Sequence, residues 1–399
     1  MKELKETILQ QTENIYPQVV EWRRYLHSHP ELSCHEESTS AFICGVLDDL
    51  NIPYQSNVAG FGVVAQIGHG SHAVGIRADM DALPVTEATG LEYSSLNPGV
   101  MHACGHDMHT AILLGTGALL KERESEIDTM DGAVKLFFQP AEETVGGAAP
   151  MIAAGCMENP TVERVLSLHV DPFYPLGTAV FRYGAMNAQT LGFEMTVEGK
   201  SCHGAHPDGG IDAIVMASEI VTAFQTISSR FNSPTTPVIV TVGTFNSGTA
   251  GNIVAGTAEL TGTVRALSEE VMENNKRLMQ QIAGGIAQAY GGKAEIRWSD
   301  DFYPALINDD AVTSLVADCA KELFGTDNVA FMPEPSLGGD DFAFFAKAAP
   351  GTYFGIGTTA PGDEAFSLHN EHYAPSEEAL KTGIALESAA TLKLLQGLR

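Results

Sequence analysis

Cationic side chains are scarce in this 399-residue chain, where 22 Lys and Arg stand against 50 Asp and Glu and leave a formal charge of −28. Such a balance repels nucleic-acid phosphate and anionic lipid, so neither is expected as a partner, and an anionic substrate would have to meet cations placed locally. Cysteine is sparse as well. Cys34, Cys44, Cys104, Cys156, Cys202 and Cys319 include no CxxC pair and lack the density of a disulfide-stapled secreted domain, which points to a reducing compartment. No apolar run reaches the ~18 to 20 residues needed to span a bilayer. The first residues, MKELKETILQQTENIYPQVVEWRRYLH, alternate charged and apolar side chains at helical spacing without the continuous apolar stretch of a signal peptide. The expected location is therefore cytoplasmic. Low-complexity segments and internal repeats are missing too. What remains is an ordinary globular composition, 44% hydrophobic and 18% charged, long enough for two domains with a sizeable core.

Leu4, Ile8, Ile15, Val19 and Leu26 recur at helical intervals before Pro30, and a second helix is expected from Glu36 to Leu50. Short β-rich runs follow at Gly62 to Ile67, Ala73 to Ala78 and Gly132 to Phe138, with a buried helix at Ala111 to Leu120; Arg164 to Val170 and Thr178 to Tyr183 continue the alternation. This pattern predicts an α/β domain, a sheet with helices on its faces. From Gln189 the order becomes strand, helix, strand, strand, helix, strand, ending at Trp298, which is the order of a ferredoxin-like α+β unit. The expected organisation is a discontinuous α/β domain of residues 1–187 and 302–399, interrupted by an inserted α+β domain of residues 188–301.

Met101-His102-Ala103-Cys104-Gly105-His106-Asp107-Met108-His109 packs several metal-competent side chains into nine residues. Cys104 and His106, at i and i+2, cannot share a helix face, but in a loop they can project to one side and grip one metal or flank two. A buried cysteine beside an incidental histidine would produce the same pair. Farther on, Phe137-Phe138-Gln139-Pro140-Ala141-Glu142-Glu143 reads as a buried strand ending in two carboxylates, where open α/β sheets place their sites. One carboxylate could bind a metal while the other moves protons; alternatively the pair could favour the start of a helix. His169 follows another predicted strand, and His369 stands in a loop after a third. His109 sits where it could buttress a ligand.

Arg77-Ala78-Asp79-Met80-Asp81-Ala82-Leu83-Pro84, then His102 to His109, then Gln139-Pro140-Ala141-Glu142-Glu143, resemble the amidohydrolase branch of the M20 metallopeptidases, which includes hippurate hydrolases, N-acyl-amino-acid deacylases and auxin-conjugate hydrolases. The resemblance runs from His27-Ser28-His29-Pro30-Glu31 to the His369 loop. It implies a zinc-peptidase-like α/β domain, a mixed sheet flanked by helices, with an inserted ferredoxin-like lid through which the protein dimerises. It also implies two divalent ions, zinc or manganese with cobalt or nickel as further choices, bound by Cys104 as the bridging ligand and by His106, Glu143, His169 and His369.

In the same resemblance Glu142 is the general base, and Asp79 orients a ligand, with Arg77 where other branches place a metal histidine. His203, in Gly199-Lys200-Ser201-Cys202-His203, reaches the active site of the other subunit, and Asn252 and Arg265 address the substrate carboxylate. Two stretches depart from the family pattern: Gly204-Ala205-His206-Pro207-Asp208, which bears on pocket shape, and Gly339-Asp340-Asp341-Phe342, where Asp340 is one methylene shorter than the more common Glu. The implied reaction is hydrolysis of a small N-acyl amino acid to a carboxylic acid and a free amino acid. A dipeptidase of the same fold and a non-catalytic ligand-binding relative are the alternatives.

Overall fold

The computed structural model describes residues 2–144 and 146–398, which fall into two compact units. The first comprises residues up to Met186, Ile307–Glu334 and the chain from Asp341 onward; the second comprises Asn187–Leu306 and Pro335–Asp340. The second unit is thus longer than residues 188–301. Its last strand runs on to Tyr303, which pairs with Thr190, and the Pro335–Asp340 segment is stitched to its start: Ala188 N–H donates to Gly338 O at 3.0 Å.

The first unit is built on an eight-stranded mixed sheet. Its interior includes the Gly132–Gln139 strand, buried at every position, with the His72–Asp79 strand parallel beside it. The Val162–Pro175 strand pairs in parallel with His72–Asp79, and Gly351–Thr359 in parallel with Val162–Pro175. Four adjacent strands therefore point their carboxyl ends the same way. Gly62–Ile67 and Tyr54–Val58 extend one side in antiparallel fashion, and Ala179–Phe181 and Val329–Phe331 complete the other. Tyr54–Val58 is not evident in the sequence, because Gln55, Ser56 and Asn57 make it polar and only its pairing with Gly62–Ile67 makes it a strand.

Helices Lys2–Ser28, His106–Lys121 and Ala379–Gly397 pack together and flank this sheet. The His106–Lys121 helix is buried from His106 to Leu120, apolar for the most part from Ala111 on, with His106, Asp107 and His109 of its first turn answered by polar partners. Ile112, Leu113, Leu114 and Leu120 have no exposed surface, each burial being worth about 2 kcal/mol. This helix begins five residues before Ala111, the first residue that periodicity assigns to it. Gly105, at φ 84°, turns the chain into it, and a β-carbon there would stand 2.4 Å from Val170 Cγ2, so both the conformation and the packing require glycine.

The second unit is a four-stranded antiparallel sheet in the order Val238–Ser247, Thr257–Ala266, Gln189–Glu198, Lys293–Tyr303, with helices Ala213–Thr226 and Glu269–Ala289. Chain order and strand order are those of a ferredoxin-like unit. Asp212 caps the first helix by accepting from Ile214 and Val215 N–H, which starts it two residues after Ile211, and Ser268 caps the second through Val271 N–H. Phe193, Met195, Val197, Met216, Ile220, Phe224 and Leu260 form its separate core. No described helix is long and apolar enough to cross a membrane.

Candidate metal centre

The parallel strands collect the candidate side chains at one edge. Asp79 pairs with Gln139 across neighbouring strands, which puts the turn carrying Glu142 and Glu143 next to the chain leaving Asp79. Arg77 pairs with Ser167 on the other side, so His169, two residues on, lies level with Asp79. His169 is inside its strand rather than at its end, since that strand continues to Pro175. His369 reaches the same place from the loop after Gly351–Thr359; its backbone, at φ 65°, donates N–H to Ala103 O at 2.8 Å.

The five expected ligands and Glu142 come together. Cys104, His106 and His169 form one group, Cys104, Glu143 and His369 a second, and His106, Glu142 and Glu143 a third; within each, the donor atoms lie within 4.8 Å of one another. Cys104 Sγ stands 3.5 Å from His169 Nε2, and Glu143 Oε1 is 3.3 Å from His369 Nε2 and 3.9 Å from His106 Nε2. Two of the imidazoles are turned by their other nitrogen. His106 Nδ1 donates to Asp81 O at 2.9 Å, with Asp81 Oδ1 at 3.1 Å, and His169 Nδ1 donates to Val170 O at 2.7 Å. Each keeps an Nε2 lone pair aimed at the shared centre. Glu143 Oε1 is buried and accepts no hydrogen bond among the described residues. A thiol, three imidazoles and two carboxylates, with the sulfur common to two groups, fit a pair of divalent ions.

The electrostatics are those of a site that needs cations. Burial, reinforced by Glu143 and Glu142, pushes the Cys104 thiol well above its usual range despite His106. Burial works against charging His106, but Asp79, Cys104 and Asp81 outweigh it and hold its pKa well up. Burial and His109 push His169 the other way.

Around this set the structure reassigns one carboxylate. Asp79 was expected to orient a ligand, but its Oδ1 takes Nδ1–H of His109 at 2.6 Å and its Oδ2 takes Arg77 Nη1–H at 2.6 Å, while its nearest approach to a ligand candidate is 3.7 Å, to His106 Nε2. The carboxylate that fixes a proposed ligand is Asp81: besides His106, its Oδ2 accepts the backbone N–H of Glu143 at 3.0 Å and Ser33 Oγ–H at 2.7 Å. Asp81 stands in the quoted motif, but nothing there separates it from Asp79. Its one sequence signal is a carboxylate in the otherwise apolar run Met80 to Leu83, which burial makes costly without partners. His109 also accepts Val170 N–H on Nε2 at 3.0 Å, so both ring nitrogens are committed and it buttresses rather than binds. His102 is buried with neither nitrogen hydrogen-bonded among the described residues, and burial holds its pKa down to about 4, so it is a neutral interior side chain.

Arg77 does not replace a metal histidine functionally. Its buried guanidinium also donates to Gln139 Oε1 and to Asp341 Oδ1, both at 2.7 Å. Burial opposes the charge on Asp79, but His106, Arg77 and His109 hold its carboxyl well below the usual range. Behind the helix start, Asp107 Oδ2 accepts from Arg23 Nε and His27 Nδ1, each at 2.8 Å.

His203, Asn252 and Arg265 belong to the second unit. His203 is exposed on a short strand that pairs with Ile253–Val254, and Gly204 N–H donates to Asn252 O at 2.8 Å, so His203 and Asn252 are neighbours. Arg265 lies on the Thr257–Ala266 strand and donates to Leu337 O at 2.7 Å. His206 is exposed ahead of a short turn at Pro207–Gly209, and Asp340 is buried.

Residues 75–393 match the model of peptidase family M20/M25/M40, and the chain belongs to that family. It is 39% identical to an N-acetyl-L-cysteine deacetylase of Bacillus subtilis (strain 168) over 348 residues, covering 87% of this chain and 82% of that one. A crystal structure from methicillin-resistant Staphylococcus aureus superposes with a TM-score of 0.92 at 34% identity, covering 98% of this chain and 100% of the other. A Bacillus subtilis protein described as a dinuclear metal binding peptidase from the M20 family superposes with a TM-score of 0.84 at 32% identity, over 96% and 99% of the two chains. The family that the three motifs resemble, with the mixed α/β fold it implies, and the α/β architecture read from the alternation are those of these proteins.

Proposed function

We propose that this protein is a metal-dependent amidohydrolase that cleaves N-acyl amino acids, acetyl, benzoyl or similar, into a carboxylic acid and a free amino acid. The observation that carries the reading is the convergence of Cys104, His106, Glu143, His169 and His369, with Glu142 beside them, where parallel strands end. The deacetylase likeness supports the amide of an N-acyl amino acid as substrate over a dipeptide.

Cys104, His106, Glu143, His169 and His369 would hold two divalent ions, Cys104 being common to two of the ligand groups. Zinc and manganese suit the mixed donor set, as do cobalt and nickel. Bound ions supply an activated water and polarise the scissile carbonyl. Glu142, buried next to the ligand set, takes the proton of the attacking water and delivers it to the departing nitrogen, a role worth roughly 10²–10⁴ in rate. Asp81 holds the His106 ring and the Glu143 backbone in one clamp. In the second unit, His203 donates to the developing oxyanion, and Arg265 with Asn252 receives the substrate carboxylate, the local cation an acidic protein needs. The second unit serves as lid and dimer interface, His203 of one subunit completing the site of the other. Its exposed Ile214, Val215 and Phe231 support an interface there. Six unpaired cysteines support a reducing, cytoplasmic location.

The test is a hydrolysis screen of acetyl-, benzoyl- and indoleacetyl-amino acids beside dipeptides, with the protein loaded in turn with zinc, manganese, cobalt and nickel. Turnover of at least one N-acyl amino acid above every dipeptide is expected. Dipeptide preference, or no hydrolysis with two ions bound per chain, overturns the reading.

A further inference from the structure

The loop between the Gly132–Gln139 strand and the Ala148–Ala153 helix presents Glu142 and Glu143, and its backbone needs explaining. Ala141 holds φ 57°, left-handed for a residue with a β-carbon, and is 4% exposed, so its N–H has little water to turn to. Three carboxylates receive N–H groups of the loop and of the helix start that follows it: Glu36 Oε1 that of Ala141 at 2.8 Å, Asp81 Oδ2 that of Glu143 at 3.0 Å, and Asp341 Oδ2 that of Ala148 at 3.0 Å. Asp81 and Asp341 also answer a ring or a guanidinium, His106 and Arg77. Glu36 answers neither. It stands just before the Glu37–Asp49 helix with no exposed surface, has no cationic partner among the described residues, and its Oε2 accepts no hydrogen bond there. A buried carboxyl without a cation is destabilising, so its retention needs a return elsewhere.

We propose that Glu36 is a positioning residue for hydrolysis: by accepting Ala141 N–H it fixes the left-handed turn that aims Glu142 and Glu143. The inference rests on the amidohydrolase reading for its catalytic consequence, and on geometry alone for its structural one. Burial raises the Glu36 carboxyl to about 7 against backbone N–H donors that lower it, in keeping with a group held for its reach rather than its charge.

Two conservative variants separate reach from charge. Glu36→Gln keeps an oxygen at the same distance and removes the charge; Glu36→Asp keeps the charge and withdraws the oxygen by one methylene. The readouts are amide hydrogen exchange at Ala141, metal retained against a chelator, and the kcat and KM of the best substrate. Losing one buried hydrogen bond corresponds to about tenfold. Glu36→Asp is therefore expected to speed exchange at Ala141 by about tenfold and lower kcat by a similar factor, with KM little changed and metal released sooner. Glu36→Gln is expected to stay near wild type in all of these. Unchanged exchange and kcat in Glu36→Asp overturn the proposal, and so does a Glu36→Gln protein as impaired as Glu36→Asp. If wild type hydrolyses none of the substrates, the amidohydrolase reading fails, while exchange and metal retention still decide the role of Glu36.

Discussion

Glu387 places a carboxyl inside the apolar packing of the Ala379–Gly397 helix, 1% exposed, with Thr116 Oγ1–H donating to its Oε2 at 2.8 Å. Burial raises it from 4.5 to about 8, the Thr116 hydrogen bond only partly opposing. Because the folded value lies above the unfolded one, the folded chain keeps a proton that the unfolded chain has lost. The stability tied to this group is therefore full below about pH 4.5, declines as pH rises and levels off above about 8. At about 1.4 kcal/mol per pH unit, the loss by pH 7 is about 3 kcal/mol. Glu387→Gln retains an oxygen for Thr116 and removes the titration. Urea unfolding of metal-stripped wild type and variant at steps from about pH 5 to 9 should show the variant gaining on wild type by about 1.4 kcal/mol per unit up to pH 8, then no further. The difference between the proteins is what counts, since every other titrating group cancels in it. A difference independent of pH across that range refutes the reasoning.

Glu142→Gln should lower kcat by roughly 10²–10⁴ with metal content unchanged, whereas Glu143→Ala should lose metal; rates beside metal analysis separate them, and an undiminished Glu142→Gln enzyme contradicts the assignment. Asp81→Ala leaves the Asp81 carbonyl to the His106 ring but removes the carboxylate from both that ring and the Glu143 N–H, so metal affinity measured by chelator competition should fall about 10–100-fold, and unchanged affinity refutes the clamp. Mixing inactive Glu142→Gln and His203→Ala proteins should restore activity if His203 serves the other subunit's site; heterodimers that form and stay inactive count against it.

Much of the fold is legible in the chain because its signals are local. The Gly132 to Phe138 run, apolar except for Lys135, is an interior strand, and strand and helix alternation announces an α/β sheet with helices on its faces. Tyr54–Val58 escapes notice because a polar edge strand exists only by pairing with its neighbour. At the site, residue type nominates Cys104, His106, Glu142, Glu143, His169 and His369, since few side chains do this chemistry. Their partners are another matter. Two aspartates two residues apart look alike in sequence, yet Asp79 goes to Arg77 and His109 while Asp81 goes to His106 and Glu143.

The sequence by itself determined most element types and the candidate donors, because periodicity and spacing are properties of short stretches, and three motifs carried the resemblance to the family. Tertiary structure alone decided which nitrogen of each imidazole is free, which histidines are spent on support, and that Glu36, more than a hundred positions from Ala141, holds its N–H. Hydrogen bonds and burial depend on distances across the chain, and those come into being only when the strands align.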